Sequence, residues 1–278
     1  MAIVTISREM GSAGIPISHK VAEKLGYTLV DGDEIRKVAA SYGLSPEALD
    51  TADEKAPVFV ESMNSQMEAN FHRIELIILE YALKGNVIIY GRGGQDLLQG
   101  IDSVLRVRII APFEERVESW AEREWLDPEM ARVLVRKSDQ QRAGFIKYYF
   151  DRDWADPIHY DLVINTSHLS EETAVKLICD ATKDRNLSQS KDHSQKSLQD
   201  LIIRKKIQSN LFSKGVISGL HQYHVHIEVQ NGKVNLEGYV HNQQEHEEVL
   251  DTIQQMQEGL SISNNLEIRR FQAHLKEH

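Results

Sequence analysis

Short apolar runs alternate with amphipathic stretches over the first two thirds of the chain. One of these stretches places Ile17, Val21 and Leu25 on the same face of a helix, and Gly26 is a typical helix end. Apolar strands that alternate with helices are typical of a parallel sheet covered by helices on both faces. We therefore predict an α/β fold with strands at 3–6, 27–30, 86–90, 104–111 and 162–165.

The pattern changes after residue 182. Residues 183–199 are polar and rich in Ser and Gln, which is typical of a linker. Beyond them, a helix (201–214), two alternating runs joined by the turn signal Asn231-Gly232, a helix (245–256) and a strand (262–268) predict an α-β-β-α-β unit. We expect an α/β domain at 1–182, a linker at 183–199 and a small α+β domain at 200–278.

Composition and charge exclude several classes of protein. The 278 residues carry a net charge of −10. Residues 1–182 hold 20 basic and 30 acidic side chains, and residues 183–278 hold 12 of each, so neither part resembles a general nucleic-acid binder. We find no leader pattern and no run near the ~18 apolar residues of a membrane span. The single cysteine, Cys179, is expected to be buried in a helix, and we expect a cytoplasmic protein.

The segment from Ser7 to Gly14 lies between the first strand and the first helix. Backbone N–H groups in such a loop, together with the helix dipole, bind phosphate. In the usual phosphate loop, a lysine contacts the outer phosphates and a hydroxyl binds magnesium. Here Gly14 stands at the lysine position, and the apolar pair Ile15-Pro16 follows where the hydroxyl is expected. The sequence therefore predicts phosphate binding that needs a substitute cation, and Arg8 is the candidate.

Polar residues follow two other strands directly. Asp31 and Asp33 come after the second strand, and Arg92 follows the third in Gly91-Arg92-Gly93-Gly94. Ligands of parallel sheets bind at the carboxyl ends of the strands, so we expect these side chains to share a cleft with the loop. Arg92 suits phosphate or carboxylate, although a tight turn with a surface arginine gives the same pattern.

A charged helix is predicted after the fourth strand. Arg132 and Arg136 are four residues apart and therefore share a face of the helix. Arg136, Asp139 and Arg142 are spaced three apart, roughly along one side. Most such helices are solvated charge ladders. Over a phosphate cleft, the same helix would be a lid that neutralises charge and excludes water, with Asp139 orienting a guanidinium.

Two histidines share a strand face in the small domain. His224 and His226 are two residues apart, which is compatible with a metal site. No acidic or cysteine partner has a spacing that completes a ligand set, so an exposed polar face is the expected outcome.

The first domain resembles a known family over residues 3–180. Its runs IVTISREMGSAG (3–14), AEKLGYTLVD (22–31), VIIYGRGG (87–94), RVRIIAPFEERV (106–117) and WADPIHYDLVINTSHLSEETAVKLI (154–178) are similar to those of cytidylate-kinase-like proteins, relatives of bacterial cytidylate kinase. Residues 200–270 resemble a BON domain, most clearly in NGKVNLEGYV at 231–240.

The resemblance implies a P-loop kinase fold, ATP and Mg²⁺ as cofactors, and a nucleoside monophosphate as acceptor. Its phosphate loop matches Gly11, Ser12, Ala13 and Gly14. Asp31 matches the acidic residue near metal and acceptor, and we assign Asp33 and Arg92 to the acceptor side. The family's lid pattern matches Asp139 and Arg142 directly. Arg136 matches it only with an offset of one residue, and we include Arg132, four residues before Arg136, in the predicted lid.

Three functions stay open. In the first, the protein is an active kinase with Arg8, Asp31 and Arg142 as catalytic residues. In the second, it senses nucleotides with little catalysis and signals through the BON-like domain. In the third, activity lies in that domain, which binds a small ligand, a partner protein or a lipid surface; its charge neutrality disfavours the lipid surface. We favour the kinase, and no motif identifies the base of its acceptor.

Overall fold

The computed structural model describes residues 2–51, 65–216, 224–256 and 260–269. The described residues divide into two compact units, each built from two separate stretches of chain. Of the described residues, the N-terminal unit contains 2–51 and 77–195, and the C-terminal unit contains 65–76, 196–216, 224–256 and 260–269. Domain bounds at 182 and 200 stay a prediction. No helix in these stretches is both long and apolar enough to cross a membrane.

A five-stranded parallel sheet forms the centre of the N-terminal unit. Its strands lie in the order β2-β3-β1-β4-β5, and every adjacent pair is parallel. Each predicted strand is confirmed, and the first extends two residues beyond its expected end, so that Arg8 belongs to a strand. The strands are β1 (Ile3–Arg8), β2 (Thr28–Val30), β3 (Val87–Tyr90), β4 (Val104–Ile110) and β5 (Leu162–Asn165).

Helices cover both faces of this sheet, as the alternating pattern predicted. Val4, Ile6 and Ile88 face one side, where they pack with α1 and α8 and with the buried Cys179. Thr5 and Ile89 face the other side and lie against α5. In chain order, the helices described before the C-terminal strands are α1 (Gly14–Leu25), α2 (Gly32–Val38), α3 (Pro46–Thr51), α4 (Ser65–Lys84), α5 (Gly94–Leu97), α6 (Phe113–Glu124), α7 (Pro128–Phe150), α8 (Glu171–Ala181), α9 (Arg185–Gln189) and α10 (Lys191–Ser213), with 3-10 turns at Ala39–Tyr42 and Pro157–His159. Residues 65–76 of α4 and 196–213 of α10 belong to the C-terminal unit.

Local sequence explains several helix ends. Gly26 ends α1 at φ 65°, in the left-handed region that glycine favours. Ser170 caps α8 by accepting a hydrogen bond from the Thr173 N–H. Residues 183–199, expected to be a linker, contain α9 and the beginning of α10. Leu187 packs against the core of the sheet and Leu198 is fully buried, so isolated apolar residues anchor helices that a polar composition did not indicate.

The C-terminal unit contains the predicted α-β-β-α-β arrangement. Its strands β6 (Val225–Gln230), β7 (Lys233–Val240) and β8 (Ser261–Ile268) form one sheet, with β7 antiparallel to β6 and parallel to β8, and α11 (Gln243–Met256) connects the last two. Asn231 and Gly232 make the predicted turn at φ 51° and 74°. Asp200 on α10 accepts hydrogen bonds from both turn N–H groups, at 2.7 and 2.8 Å.

The core of this unit includes part of α4. Ala69 is fully buried among Ile207 and Leu211 of α10 and Val234 of β7. An apolar helical face shows that it will be buried, but it does not identify the element that covers it. The pattern of the sequence therefore gives no sign that 65–76 groups with residues more than a hundred positions away.

A buried ionic cluster joins α4 to α10 within this unit. Lys205 Nζ lies 2.6 Å from Glu75 Oε2, and the side chains are 12% and 2% exposed. His72 Nδ1 lies 2.7 Å from the same oxygen. Burial alone would raise the pKa of the Glu75 carboxyl, but Lys205 and His72 outweigh it and hold that pKa below its ordinary value.

Removing one member of this pair should destabilise the C-terminal unit. Glu75→Ala leaves the Lys205 ammonium buried without a counter-charge, which costs about 3 kcal/mol of unfolding free energy. The double variant Glu75→Leu with Lys205→Met should recover most of that loss. Urea denaturation followed by circular dichroism measures both. The matched control is Asp180→Ala, which breaks the exposed Asp180–Lys183 pair and should leave the midpoint unchanged.

The same carboxyl should make stability depend on pH. Because the pKa of Glu75 is lowered in the folded protein, its contribution is complete above the ordinary value of 4.5 and is lost as the pH falls through the folded value. The free energy of unfolding of the wild type should therefore drop more steeply below about pH 4.5 than that of Glu75→Gln. Parallel profiles for the two proteins would contradict this assignment.

Candidate active site

A tight loop links β1 to α1 at the carboxyl end of the sheet. Gly11 has φ 85°, and a Cβ there would lie 2.5 Å from the Arg116 carbonyl oxygen, so only glycine fits. Ala13 also adopts a left-handed conformation, at φ 60°, directly before α1. The first N–H groups of a helix have no partner within the helix and carry its positive dipole end. The loop therefore presents backbone donors suited to an anion.

Asp139 on α7 holds the loop in place. Its Oδ1 accepts a hydrogen bond from the Met10 N–H at 3.1 Å. Its Oδ2 accepts one from Arg116 Nη1 at 2.6 Å, and the same nitrogen donates to the Met10 carbonyl at 3.0 Å. The guanidinium that Asp139 orients is thus Arg116 of α6, a residue that spacing along α7 could not identify.

Glu9 is a second support that sequence patterns did not single out. Its carboxylate lies 3.3 Å from both Arg108 Nη2 and Arg116 Nε, and it accepts a hydrogen bond from the Ala111 N–H. Both guanidinium groups are almost fully buried. The only available signal was an acidic residue directly before a glycine loop.

Trp154 packs against the strand end just before the loop. Its indole Nε1 donates a hydrogen bond to the Ser7 hydroxyl at 2.8 Å, and the Arg108 guanidinium lies 4.1 Å from its ring centroid. Trp154 is buried, so the segment that follows α7 is packed onto the sheet.

A loop cavity of about 200 Å³ lies beside the glycine loop. It is bounded by residues of the loop and of the first turn of α1, and by side chains of α6 and α7. The side chains from α6 and α7 include the Trp120 indole and the guanidinium groups of Arg123 and Arg142. The Arg123 guanidinium lies 4.0 Å from the ring centroid of Trp120. The lining is Arg8, Glu9, Met10, Gly11, Ala13, Gly14, Ile15, Pro16, Tyr90, Ser119, Trp120, Arg123, Arg142 and Glu171.

An aspartate cavity of about 320 Å³ lies on the other side of Arg8. It combines carboxylates, cations and a small apolar wall, and it contains the polar residues predicted to follow β2 and β3. The lining is Arg8, Ile15, Ser18, His19, Leu29, Asp31, Gly32, Asp33, Tyr90 and Arg92. Asp31, Asp33 and Arg92 thus share a cavity with Arg8, whereas the loop glycines line the loop cavity, so the single cleft that was predicted is divided into two cavities with Arg8 in both.

Backbone geometry directs two of these side chains. Asp31 caps α2, since its Oδ1 accepts a hydrogen bond from the Glu34 N–H at 2.9 Å. Arg92 has φ 55°, an unusual conformation for a residue with a side chain. Its Nη2 lies beside Gly32, where a Cβ would be 3.6 Å away.

Comparison with known proteins identifies the family. The model of the cytidylate kinase-like family matches residues 3–168, which is more than half of the chain. The chain belongs to the cytidylate kinase-like family. Residues 199–270 match the BON domain model.

Two relatives and one solved structure illustrate the similarity. The cytidylate kinase of Ignicoccus hospitalis is 31% identical over 180 residues, which cover 64% of this chain and 97% of that protein. The cytidylate kinase of Methanopyrus kandleri is 28% identical over 186 residues, covering 63% and 90%. A crystal structure of an uncharacterized protein from Eubacterium ventriosum matches with a TM-score of 0.54 at 21% identity, covering 66% of this chain and all of that one, and supports the fold.

In this cytidylate kinase-like chain, two further residues predicted to belong to the site, Ser12 and Arg142, have different contacts. The Ser12 hydroxyl donates to the carbonyls of Glu9 and Ile109 and so braces the loop. Arg142 lines the loop cavity, 3.9 Å from Asp139 Oδ1.

Two predicted lid residues make contacts elsewhere. Arg132 binds Glu114 through both terminal nitrogens, at 2.6 and 2.7 Å. The Arg136 guanidinium lies 5.4 Å from the Phe113 ring centroid. In the described part of the chain, neither arginine lines the loop cavity or the aspartate cavity.

The donor set for a divalent cation is small. No three His, Cys, Asp or Glu side chains in the described ranges are grouped to hold a metal. Magnesium is commonly held by one or two carboxylates together with substrate phosphates and water. Asp31 and Asp33 in the aspartate cavity fit that pattern.

In the BON-like unit, the two histidines considered as metal ligands have different surroundings. His226 is exposed and lies opposite Glu237 in the sheet, and the His224 ring stacks on the Tyr239 ring with 4.4 Å between their centroids.

The loop should tolerate no side chain at Gly11. Gly11→Ala combines left-handed strain with a clash against the Arg116 carbonyl, so it should lower the melting temperature. Gly26→Ala is the matched control, because Gly26 has φ 65° with nothing within 4 Å of an added Cβ. Strain alone should lower the free energy of unfolding of the control by about 1 kcal/mol, and Gly11→Ala should lower it clearly further. Equal losses in calorimetry would mean that the clash is relieved by movement of the loop.

Proposed function

We propose that the N-terminal unit binds ATP and transfers its γ-phosphoryl group to a nucleoside monophosphate, CMP-like, or to a related small acceptor. The observation that carries this proposal is the position of Arg8, which lines both the loop cavity and the aspartate cavity. A cation between two anion-compatible cavities suits a phosphoryl group in transit between donor and acceptor.

The loop cavity would hold the phosphates of ATP. The N–H groups of the loop and the positive end of α1 supply donors, and Arg142 adds a cation from α7. Phosphoryl transfer depends on positioning and on neutralising charge that spreads over the transferred group. Arg8, at the end of β1, and Arg142, on α7, provide that charge in the loop cavity.

The aspartate cavity would hold the acceptor. Arg92 binds its anionic group, and Asp31 and Asp33 accept hydrogen bonds from its hydroxyls. An acceptor oxygen bonds to the γ-phosphorus while the bond from that phosphorus to the β–γ bridging oxygen breaks, and ADP leaves with the electron pair. Magnesium, held through Asp31, would neutralise phosphate charge. The names of the two relatives favour a cytidine nucleotide as acceptor.

A second candidate is nucleotide sensing with little turnover. It is favoured by the loop itself, where Ile15 follows Gly14 at the position of the magnesium-binding hydroxyl and the Ser12 hydroxyl is bonded to carbonyl groups. Backbone binding of phosphate does not need a lysine, and the BON-like unit would carry the output to a small ligand or a protein partner. Tight ATP binding in calorimetry without ADP release would support this candidate.

A substrate screen tests the proposal. ATP is combined with CMP, UMP, AMP or GMP in the presence of Mg²⁺, and ADP release is followed in a coupled assay. We expect the largest kcat/KM with CMP. ADP release that no monophosphate raises above the rate with ATP alone would contradict a monophosphate kinase.

The role of Arg8 is tested with the best acceptor from that screen. Arg8→Ala should lower kcat by about 10²–10³-fold, because the transferred group loses a positioned cation. Arg185→Ala is the matched control, since Arg185 is exposed on α9 and lines neither cavity. An unchanged kcat for Arg8→Ala would remove Arg8 from the reaction.

A further inference from the structure

Arg8 occupies the space beside Gly14, where a phosphate loop has its lysine. A Cβ at residue 14 would lie 2.7 Å from Arg8 Cβ and 2.8 Å from Arg8 Cγ. Contacts below 3.0 Å require something to move, and these atoms are the root of the Arg8 side chain, fixed to strand β1. A side chain at position 14 is therefore incompatible with the stem of the Arg8 side chain, from its Cβ outward.

No backbone requirement explains the glycine. Gly14 begins α1, and its φ is not among the left-handed values. Glycine is less favourable than alanine in a helix, so its presence at a helical position calls for another reason. The close approach of Arg8 supplies one.

The Tyr90 ring supports the other end of Arg8. The guanidinium carbon lies 4.1 Å from the ring centroid, which is a cation–π distance. Tyr90 is the last residue of β3, and like Arg8 it lines both cavities. A planar guanidinium against a ring is restricted in direction, whereas a lysine ammonium on a flexible stem is not.

We propose that Gly14 and Tyr90 are positioning residues for Arg8, so that this loop takes its cation from the end of β1 and not from α1. The kinetic part of this inference rests on the proposed phosphoryl transfer. The steric part depends only on the fold. Gly14 leaves the space that the arginine stem needs, and Tyr90 directs the guanidinium between the loop cavity and the aspartate cavity.

A stability cycle tests the steric part without any activity. Gly14→Ala should lower the melting temperature in the wild type, because the new Cβ meets Arg8. In the Arg8→Gly background, which removes both the Cβ and the Cγ that the new side chain would meet, the same change should leave the melting temperature equal or raise it, because the clash is gone and alanine favours the helix. The same shift in both backgrounds would overturn the pairing of Gly14 with Arg8.

A kinetic cycle tests Tyr90. Tyr90→Leu should lower kcat several-fold more than it raises the KM for ATP, and Tyr90→Phe, which keeps the ring, should restore kcat. In the Arg8→Ala background, Tyr90→Leu should have no further effect on kcat. An equal loss in both backgrounds, or no rescue by phenylalanine, would overturn the positioning role.

The two cycles also separate this inference from the proposed function. If the wild type releases no ADP with any acceptor, the kinase proposal fails while the stability cycle still decides the Gly14–Arg8 relation. ATP binding by calorimetry then replaces kcat for Tyr90. Tyr90→Leu should weaken binding only when Arg8 is present, and weakening in both backgrounds would contradict the role of Tyr90.

Discussion

The hydrogen bonds accepted by Asp139 hold the site together. One carboxylate fixes the Met10 N–H of the loop and the Arg116 guanidinium of α6, and Arg116 in turn contacts Glu9. Three elements far apart in sequence are thereby locked at one strand end. Since the cluster is largely buried, each charge depends on the others for compensation. The network therefore supports the glycine loop from both α6 and α7.

The network also separates supporting charges from those that face the cavities. Arg108 and Arg116 are buried against Glu9 and stabilise the loop from beneath. Arg8, Arg142 and Arg92 line the cavities instead. The same cavities also contain the carboxylates of Glu9, Asp31, Asp33 and Glu171, so the cations act through their positions and not through an excess of positive charge.

Much of the fold could be predicted from the sequence, because strand and helix periodicities are local properties. The five parallel strands, the α1 end at Gly26 and the Asn231-Gly232 turn were all predicted. Partners across space were not predictable in the same way. Spacing along α7 grouped Arg132 with Asp139. In the structure, however, Arg132 donates hydrogen bonds to Glu114, whereas Asp139 accepts one from the Met10 N–H of the loop.

The C-terminal unit is discontinuous along the chain, and this affects how it can be made. Residues 65–76 leave the ribosome long before 196–269, so Ala69 and Glu75 must wait for the partners that bury them. During that interval the helix exposes an apolar face and an unpaired carboxylate. We expect the nascent chain to depend on chaperones at this stage. A fragment that begins near residue 200 would lack one wall of its own core.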